Sequence, residues 1–467
     1  MELPNYKDVF KKDKIKTKKF ELDPNYKLKY SGKKYFLKTY GCQMNEHDSE
    51  NIKALLEEMG FTEVEEYKDA DLVLLNTCSV RENAHNKAFG MLGRFKHLKE
   101  EKKDLVIGLC GCMAQEEGVI KEIKEKYKFV NFIFGTHNIA DLPEILDRAI
   151  NEGKQEIDVK TFSDEIIEDI PVRRVSNFKA YVNIIYGCDK FCTYCIVPYT
   201  RGREHSRKKE DILREVEALA SDGYKEVTLL GQNVNAYGHD LYNDYSFGEL
   251  LEDVAKTGIP RVRFTTSHPW NFTDKMIDTI AKYPNIMPSI HLPLQSGSDK
   301  VLKSMGRRYT KESYLKLFDK MKSKITNCHI STDIIVGFPG ETEEDFQETL
   351  DVVNHCNYDN AYTFIYSPRE NTPAAKFKNQ VDEKTKEERL QILNKLVNKY
   401  FLENNKKEEG QTLEVLVEGK NEKIDGYYGY SKEMKLVNFT GKNIKIGDLV
   451  NVKITKAKTW SLDGDAN

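Results

Sequence analysis

Tyr186-Gly-Cys188-Asp-Lys-Phe-Cys192-Thr-Tyr-Cys195 follows directly on the apolar run Ala180 to Tyr186 and sets three cysteines at Cys-x3-Cys-x2-Cys spacing. Three thiolates on so short a loop can hold three irons of a [4Fe–4S] cube and leave the fourth iron without a protein ligand. A structural zinc knuckle would need a fourth ligand, and the next histidine, His205, lies ten residues past Cys195. The loop also opens a series of apolar runs: Ala180 to Tyr186, Glu226 to Leu230, Val262 to Thr265, Ile290 to Leu292, Ser331 to Val336 and Ala361 to Ile365. Amphipathic stretches separate them. Six strands alternating with helices over residues 178–382 predict an open (β/α)6 barrel, with ligand contacts at the C-terminal strand ends.

Upstream, from residue 33 to 151, the runs Tyr35 to Tyr40, Leu72 to Leu75 and Leu105 to Ile107 alternate with amphipathic stretches at Asn51 to Met59 and Asn83 to Lys96. That is the pattern of a doubly wound α/β domain on a parallel sheet. Residues 1–32, rich in lysine, read as a flexible basic arm, and 152–177 as a linker. Downstream, 383–406 reads as a connecting helix with Leu390, Leu393, Val397 and Tyr400 on one face. Residues 407–467 carry short alternating runs, Leu413 to Val417, Lys435 to Phe439 and Leu449 to Ile454. These predict a small antiparallel β-barrel. A net charge of −3 with 31% charged residues neither favours nor excludes a polyanionic partner. With no leader-like N-terminus and no apolar run of about 18 residues, a cytoplasmic protein with no membrane contact is expected.

Six of the nine cysteines fall into two sets. The second set, Cys42, Cys78 and Cys112, is separated by 36 and 34 residues, about one βα unit per step, and each member sits just past an apolar strand. Neighbouring parallel strands would bring the three sulfurs to one sheet edge. Ser79-Val-Arg-Glu82 reads as a capping box that would put Cys78 at a helix N-terminus, where the dipole favours a thiolate. Three unrelated buried cysteines are the bland alternative. Cys110 lies two residues before Cys112, and in an extended segment both would face one side, so spacing alone does not choose between them. Cys328 and Cys356 read as small apolar residues. The segment Tyr199-Thr-Arg201-Gly-Arg203-Glu-His205-Ser-Arg207 concentrates positive charge, as either an RNA-phosphate contact or a solvated helix start.

The first cysteine set resembles that of the radical SAM superfamily, whose open iron binds S-adenosylmethionine (SAM) and whose one-electron chemistry cleaves it to a 5′-deoxyadenosyl radical. Gly231-Gln232-Asn233, after the second strand, and Asp333-Ile-Ile-Val-Gly337-Phe-Pro-Gly340-Glu341, at the fifth, extend the likeness. The resemblance implies SAM contacts at Gly231, Gln232, Asn233, Ser296, Asp333 and Gly337. Both cysteine sets together, in this order, resemble the methylthiotransferases. In that family Tyr40-Gly-Cys42-Gln-Met-Asn45, Asn76-Thr-Cys78-Ser and Gly111-Cys112-Met-Ala-Gln115 carry an auxiliary [4Fe–4S] cluster, which assigns Cys112 over Cys110. All six ligand cysteines, Cys188, Cys192, Cys195, Cys42, Cys78 and Cys112, are then catalytic.

The C-terminal stretches Lys435-Leu-Val-Asn-Phe439 and Ala457-Lys-Thr-Trp-Ser-Leu462 resemble the TRAM barrel that such enzymes use to hold RNA. Where the family often has Gly-Arg-Thr, this chain has Gly429-Tyr430-Ser431. The wording around Cys42 and Phe364-Ile-Tyr-Ser-Pro368 resembles the branch that installs a methylthio group on C2 of N6-isopentenyladenosine beside the tRNA anticodon, using two SAM molecules. The alternatives within the family are threonylcarbamoyl-adenosine in tRNA and an aspartate of a ribosomal protein. Outside it stand a two-cluster electron carrier and an RNA-binding protein with structural clusters. The resemblance further implies a low-potential electron donor such as flavodoxin or ferredoxin, a sulfur source the sequence does not name, and a monomer.

Overall fold

The computed structural model describes residues 16–79, 82–160 and 165–466. They form two compact units. The first takes the chain up to Val175 with Tyr186–Asp189 and Cys195–His205, and the second takes Ser176–Ile185, Lys190–Tyr194 and the chain from Ser206 onward.

In the first unit, six parallel strands lie in the order Thr62–Glu63, Lys34–Tyr40, Leu72–Thr77, Val106–Cys110, Phe132–Phe134 and Glu156–Asp158. Side chains alternate across a strand, so Val73, Leu75, Ile107, Leu109 and Ile133 meet helices Glu82–Glu101 and Glu117–Lys126 on one face. Leu72, Leu74, Phe132 and Phe134 meet helices Gln43–Glu58 and Leu142–Glu152 on the other. The sheet is doubly wound, as expected.

Three expectations change. Helix Gln43–Glu58 begins before the expected Asn51, because its first turns bury polar residues, among them Asn45, Asp48, Ser49 and Glu50, and so show no apolar period. The stretch expected as a linker holds two strands. Glu156–Asp158 closes the sheet, and Glu165–Glu168 pairs in parallel with Lys16–Lys19. Both are short, charged edge strands, which blunts their signal. Of the expected flexible arm, residues 1–15 lie outside the described residues, while the part beyond them is folded. Phe20, Tyr26 and Tyr30 pack on the core, and the Tyr30 hydroxyl donates to Asp147 at 2.6 Å.

In the second unit, Lys179–Asn183, Glu226–Leu230 and Arg261–Phe264 form one three-stranded parallel sheet, and Ser289–His291, His329–Val336 and Asn360–Ile365 form another. A parallel bridge from Val262 to Ile286, three residues before strand Ser289–His291, brings the two sheets side by side as the open six-stranded barrel. Cys328 and Cys356 sit in its core, where burial pushes each thiol up to about 12, so neither is reactive. Helix Glu383–Lys406 buries Lys386, Arg389, Leu393, Val397, Phe401 and Asn404, with Leu390 and Tyr400 on its flanks. The last five strands close into a barrel in the order Thr412–Asn421, Gly426–Ser431, Leu436–Thr440, Leu462–Ala466 and Leu449–Ala457. The expected antiparallel pairing holds except between Leu436–Thr440 and Leu462–Ala466, which are parallel. A ring with an odd number of strands cannot alternate direction all the way round.

Candidate functional site

Strands Lys34–Tyr40, Leu72–Thr77 and Val106–Cys110 are parallel neighbours, with Tyr40 opposite Thr77 and Asn76 opposite Cys110. Their C-terminal ends therefore share one sheet edge, and Cys42, Cys78 and Cys112 follow there. The Cys78 N–H donates to the Tyr40 carbonyl at 2.9 Å. Cys42 is the N-cap of helix Gln43–Glu58. A hydrogen bond from the Cys78 side chain, with help from the Arg201 charge and first-turn backbone N–H groups, overcomes burial and holds the Cys42 thiol down at about 6. The N-terminus of helix Gln43–Glu58 thus favours a thiolate at Cys42. Ser79 Oγ is buried with no hydrogen-bond partner among the described residues, and residues 80–81 of the expected capping box lie outside them.

Gly111 separates the two competing cysteines. Its φ is +91°, and a Cβ there would come within 2.3 Å of Asn76 Oδ1. The chain leaves the extended course at this point and enters the turn Cys112–Gln115, so Cys110 and Cys112 do not share a side. Cys110 packs with Leu74, Phe132 and Phe134, and burial pushes its thiol well above the ordinary range. Cys112 faces Arg201, whose Nε donates to its Sγ at 3.1 Å. Arg201 Nη2 reaches Asp48 at 2.6 Å, and both side chains are buried. Beneath them, Asn76 Nδ2 donates to the Asn45 carbonyl at 2.8 Å and to Ser49 Oγ at 2.9 Å.

Thiolates are the donor set of iron–sulfur chemistry. Among the described residues no three His, Cys, Asp or Glu side chains gather tightly enough to hold one metal ion. A single zinc draws its thiolates to about 2.3 Å from one centre, whereas a cube takes each thiolate on a different iron. Three thiols that follow neighbouring parallel strands to one sheet edge are a donor set of the kind such a cube takes.

Arg201, Asp48 and the Asn45–Asn76–Ser49 network were not singled out by spacing. The basic segment containing Arg201 is neither a free phosphate contact nor a solvated helix start. Besides Arg201, Arg203 Nη2 donates to Asp189 at 2.7 Å, and Arg207 Nη1 donates to the Asn183 carbonyl at 2.7 Å and to Glu215 at 2.9 Å.

Of the first cysteine set, Cys188 and Cys195 belong to the first unit and Cys192 to the second. The Cys188 N–H donates to the Gly202 carbonyl at 3.1 Å. Cys192 is buried, with Arg307 Nη1 3.5 Å from its Sγ. Thr193 is tied to the Met305 and Ser304 carbonyls, both at 2.9 Å. Phe191, Thr266 and Gln295 have φ of 45°, 68° and 67°, so strained backbone clusters in the cysteine loop and past the C-terminal strand ends.

The expected SAM contacts divide. Gly231, Gln232 and Asn233 follow strand Glu226–Leu230. A Cβ on Gly231 would come within 2.3 Å of Ile185, and Asn233 Nδ2 donates to Asn271 Oδ1 at 3.3 Å. Asp333 lies 3.2 Å from His291 Nε2. Ser296 is fully buried, its hydroxyl accepting the Ser298 N–H at 3.2 Å. Gly337 has a packing reason of its own, since a Cβ there would come within 2.2 Å of Lys386.

The chain matches the description Radical SAM superfamily over residues 182–353, Uncharacterized protein family UPF0004 over 34–135 and TRAM domain over 406–466. It is 51% identical to a tRNA-2-methylthio-N(6)-dimethylallyladenosine synthase of Bacillus licheniformis, across 99% of this chain and 92% of that protein. It is 50% identical to the Bacillus subtilis protein of the same name, across 99% and 92%. For Staphylococcus aureus the figures are 51%, 99% and 91%. Among solved structures, the radical S-adenosylmethionine methyltransferase TsrM of Kitasatospora setae, with cobalamin and a [4Fe–4S] cluster bound, aligns with TM-score 0.53 at 15% identity. That alignment covers 73% of this chain and 74% of TsrM, and it speaks for the fold alone. Membership of the superfamily implies a [4Fe–4S] cluster and SAM. With the identity running over nearly the whole length of both proteins, the chain belongs to the radical SAM methylthiotransferases, in the family of the tRNA-2-methylthio-N(6)-dimethylallyladenosine synthases.

Proposed function

We propose that the chain methylthiolates C2 of N6-isopentenyladenosine beside the anticodon of tRNA, and that it does so with two [4Fe–4S] clusters. Cys188, Cys192 and Cys195 would hold the one that binds SAM, and Cys42, Cys78 and Cys112 the auxiliary one. The observation that carries the second cluster is the convergence of those three cysteines at one sheet edge against the buried Arg201. When bound, the clusters and SAM supply the one-electron and sulfur chemistry that C2 of an adenine needs, since no side-chain base removes its hydrogen usefully.

The protein's share is binding and orientation. Arg201 places a fixed positive charge beside the Cys112 sulfur, and Asn45 and Asn76 fix the backbone that presents Cys42 and Cys78. Asn233 and Asp333 would offer polar groups for SAM, while Gly231, like Gly337, is required by packing, against Ile185. The five-stranded C-terminal barrel would grip the tRNA. A low-potential flavodoxin or ferredoxin would supply the electron to a monomer in the cytoplasm. No described helix is long and apolar enough to cross a membrane.

The test is a nucleoside digest of tRNA from a strain lacking the gene. The 2-methylthio form of isopentenyladenosine should vanish and its unthiolated precursor accumulate. Full methylthiolation in that strain, with no paralogue present, would overturn the substrate reading.

A further inference from the structure

Trp270 is one of two tryptophans in the chain and is 44% exposed. It stands in the turn Pro269–Asn271 that follows strand Arg261–Phe264, at the C-terminal end of the barrel strands. Two cations lie on its ring, Lys190 Nζ and Arg308 Cζ, each 4.8 Å from the centroid. Neither cation pairs with a carboxylate among the described residues. At an exposed site such a contact contributes about 0.5–1 kcal/mol, too little to explain holding an indole in water.

The turn beneath the ring is firmly fixed. The His268 N–H donates to Asn235 Oδ1 at 3.2 Å, and the His268 ring meets Tyr309 edge-on with centroids 5.9 Å apart. Burial, reinforced by the charges of Arg307 and Lys190, holds His268 neutral, down at about 2. Asn271, next to Trp270, accepts the hydrogen bond from Asn233 at 3.3 Å, and Lys190 lies within the cysteine loop, two residues before Cys192. The turn is thus tied through Asn271 to Asn233, one of the residues assigned to SAM, while the indole is partly exposed.

We propose that Trp270 is a stacking platform for an unpaired RNA base that flanks the modified adenosine, with Lys190 and Arg308 meeting the adjoining phosphates. Unpaired bases stack on aromatic rings and on arginine planes, and an arginine lying on an indole extends the stacking surface. Two unneutralised cations at the ring complement a phosphate backbone. Such a platform would hold the anticodon loop in register so that the neighbouring adenosine can enter the barrel.

The inference rests on the tRNA reading above, and the test keeps the two apart. Binding of fluorophore-labelled tRNA to the anaerobically reconstituted full-length chain is followed by anisotropy for Trp270→Ala, Trp270→Phe and the double variant Lys190→Ala/Arg308→Ala. Trp270→Ala should weaken binding about tenfold, and Trp270→Phe should recover most of the loss. The double variant should reduce the log–log salt slope by about 1.4, or about 0.7 per phosphate. Abasic substitution of the unpaired anticodon-loop bases, one at a time, should identify one position whose loss matches Trp270→Ala and adds nothing in that variant. Unchanged affinity in Trp270→Ala, or no abasic position coupled to it, would overturn the platform and leave the substrate reading standing. No tRNA binding by the unaltered protein would overturn both.

Discussion

Arg201 brings one guanidinium into a dry pocket beside Asp48 and Cys112, with Cys42 within electrostatic reach, and the acidic groups around it raise its pKa further despite burial. Removing it strands the Asp48 carboxylate, and a buried charge left without its partner costs about 3–5 kcal/mol. Arg201→Met should therefore lower the unfolding midpoint of the cluster-free chain by several degrees. Adding Asp48→Asn should restore much of the loss, as a calorimetric double-mutant cycle would record. The cysteines separate in the same way. Cys110→Ala removes a sulfur from the apolar core and should leave about eight irons per chain after reconstitution, whereas Cys78→Ala should leave about four. Reductive SAM cleavage should survive in Cys78→Ala and disappear in Cys192→Ala, read as 5′-deoxyadenosine. Equal iron in the Cys78 and Cys110 variants would refute the assignment. Both cysteine sets stood out in the sequence by spacing and resemblance. Arg201 was not, because its partner Asp48 lies 153 residues away, and nothing local distinguishes a buried arginine from a solvated one.

At the level of elements, the six-stranded barrel was legible because short strand-like runs recur between amphipathic helical stretches, although only Glu226–Leu230 and Arg261–Phe264 are buried along their whole length, and the C-terminal barrel because its runs alternate. The polar first turns of helix Gln43–Glu58 were not, since a helix that buries Asn45, Asp48 and Ser49 against a functional edge has no apolar stripe to read. Nor could alternation reveal how the C-terminal barrel docks. Strand Arg261–Phe264 sends Arg261, 1% exposed, to the Glu414 side chain and carbonyl and the Tyr430 carbonyl, and Arg263 to the Ser431 and Lys432 carbonyls. Glu226 lies 2.9 Å from Arg263 and completes the cluster. The carbonyls of Tyr430 and Ser431, in the stretch that departs from the family's Gly-Arg-Thr, are thus docking groups. Deleting residues 411–467 would uncover two arginines built to be buried, so a truncation would confound RNA affinity with barrel stability. Arg261→Ala should lower the thermal midpoint and loosen the C-terminal barrel, visible as faster amide exchange in strand Gly426–Ser431. Unchanged exchange there would show that the arginine cluster does not hold it.

For the whole molecule, a net charge of −3 gives no general attraction for RNA, so binding must depend on local cations and on a fold that keeps its buried polar groups neutral where the site requires it. Burial holds His268 down at about 2 and His329 at about 4, against an ordinary 6.5. Both folded values are depressed below the unfolded one. Above 6.5 neither state takes up the proton, and the full stability is present. As pH falls below 6.5, the unfolded chain binds protons that the folded chain refuses, and stability is lost progressively toward pH 4. Between pH 7 and pH 5.5 each histidine should cost about 1 kcal/mol. This window lies above the titration of ordinary carboxylates; the Cys42 thiol, at about 6, and the buried His137, at about 4, lose stability in it as well, while Glu341, raised to about 6, opposes them. Urea unfolding of the cluster-free chain should show a lower midpoint at pH 5.5 than at pH 7. The double variant His268→Gln/His329→Gln, though less stable at pH 7, should lose less on acidification. A midpoint that stays constant between the two pH values in the unaltered protein would mean that the folded chain accepts these protons, and that the turn carrying Trp270 is more open to water than its packing indicates.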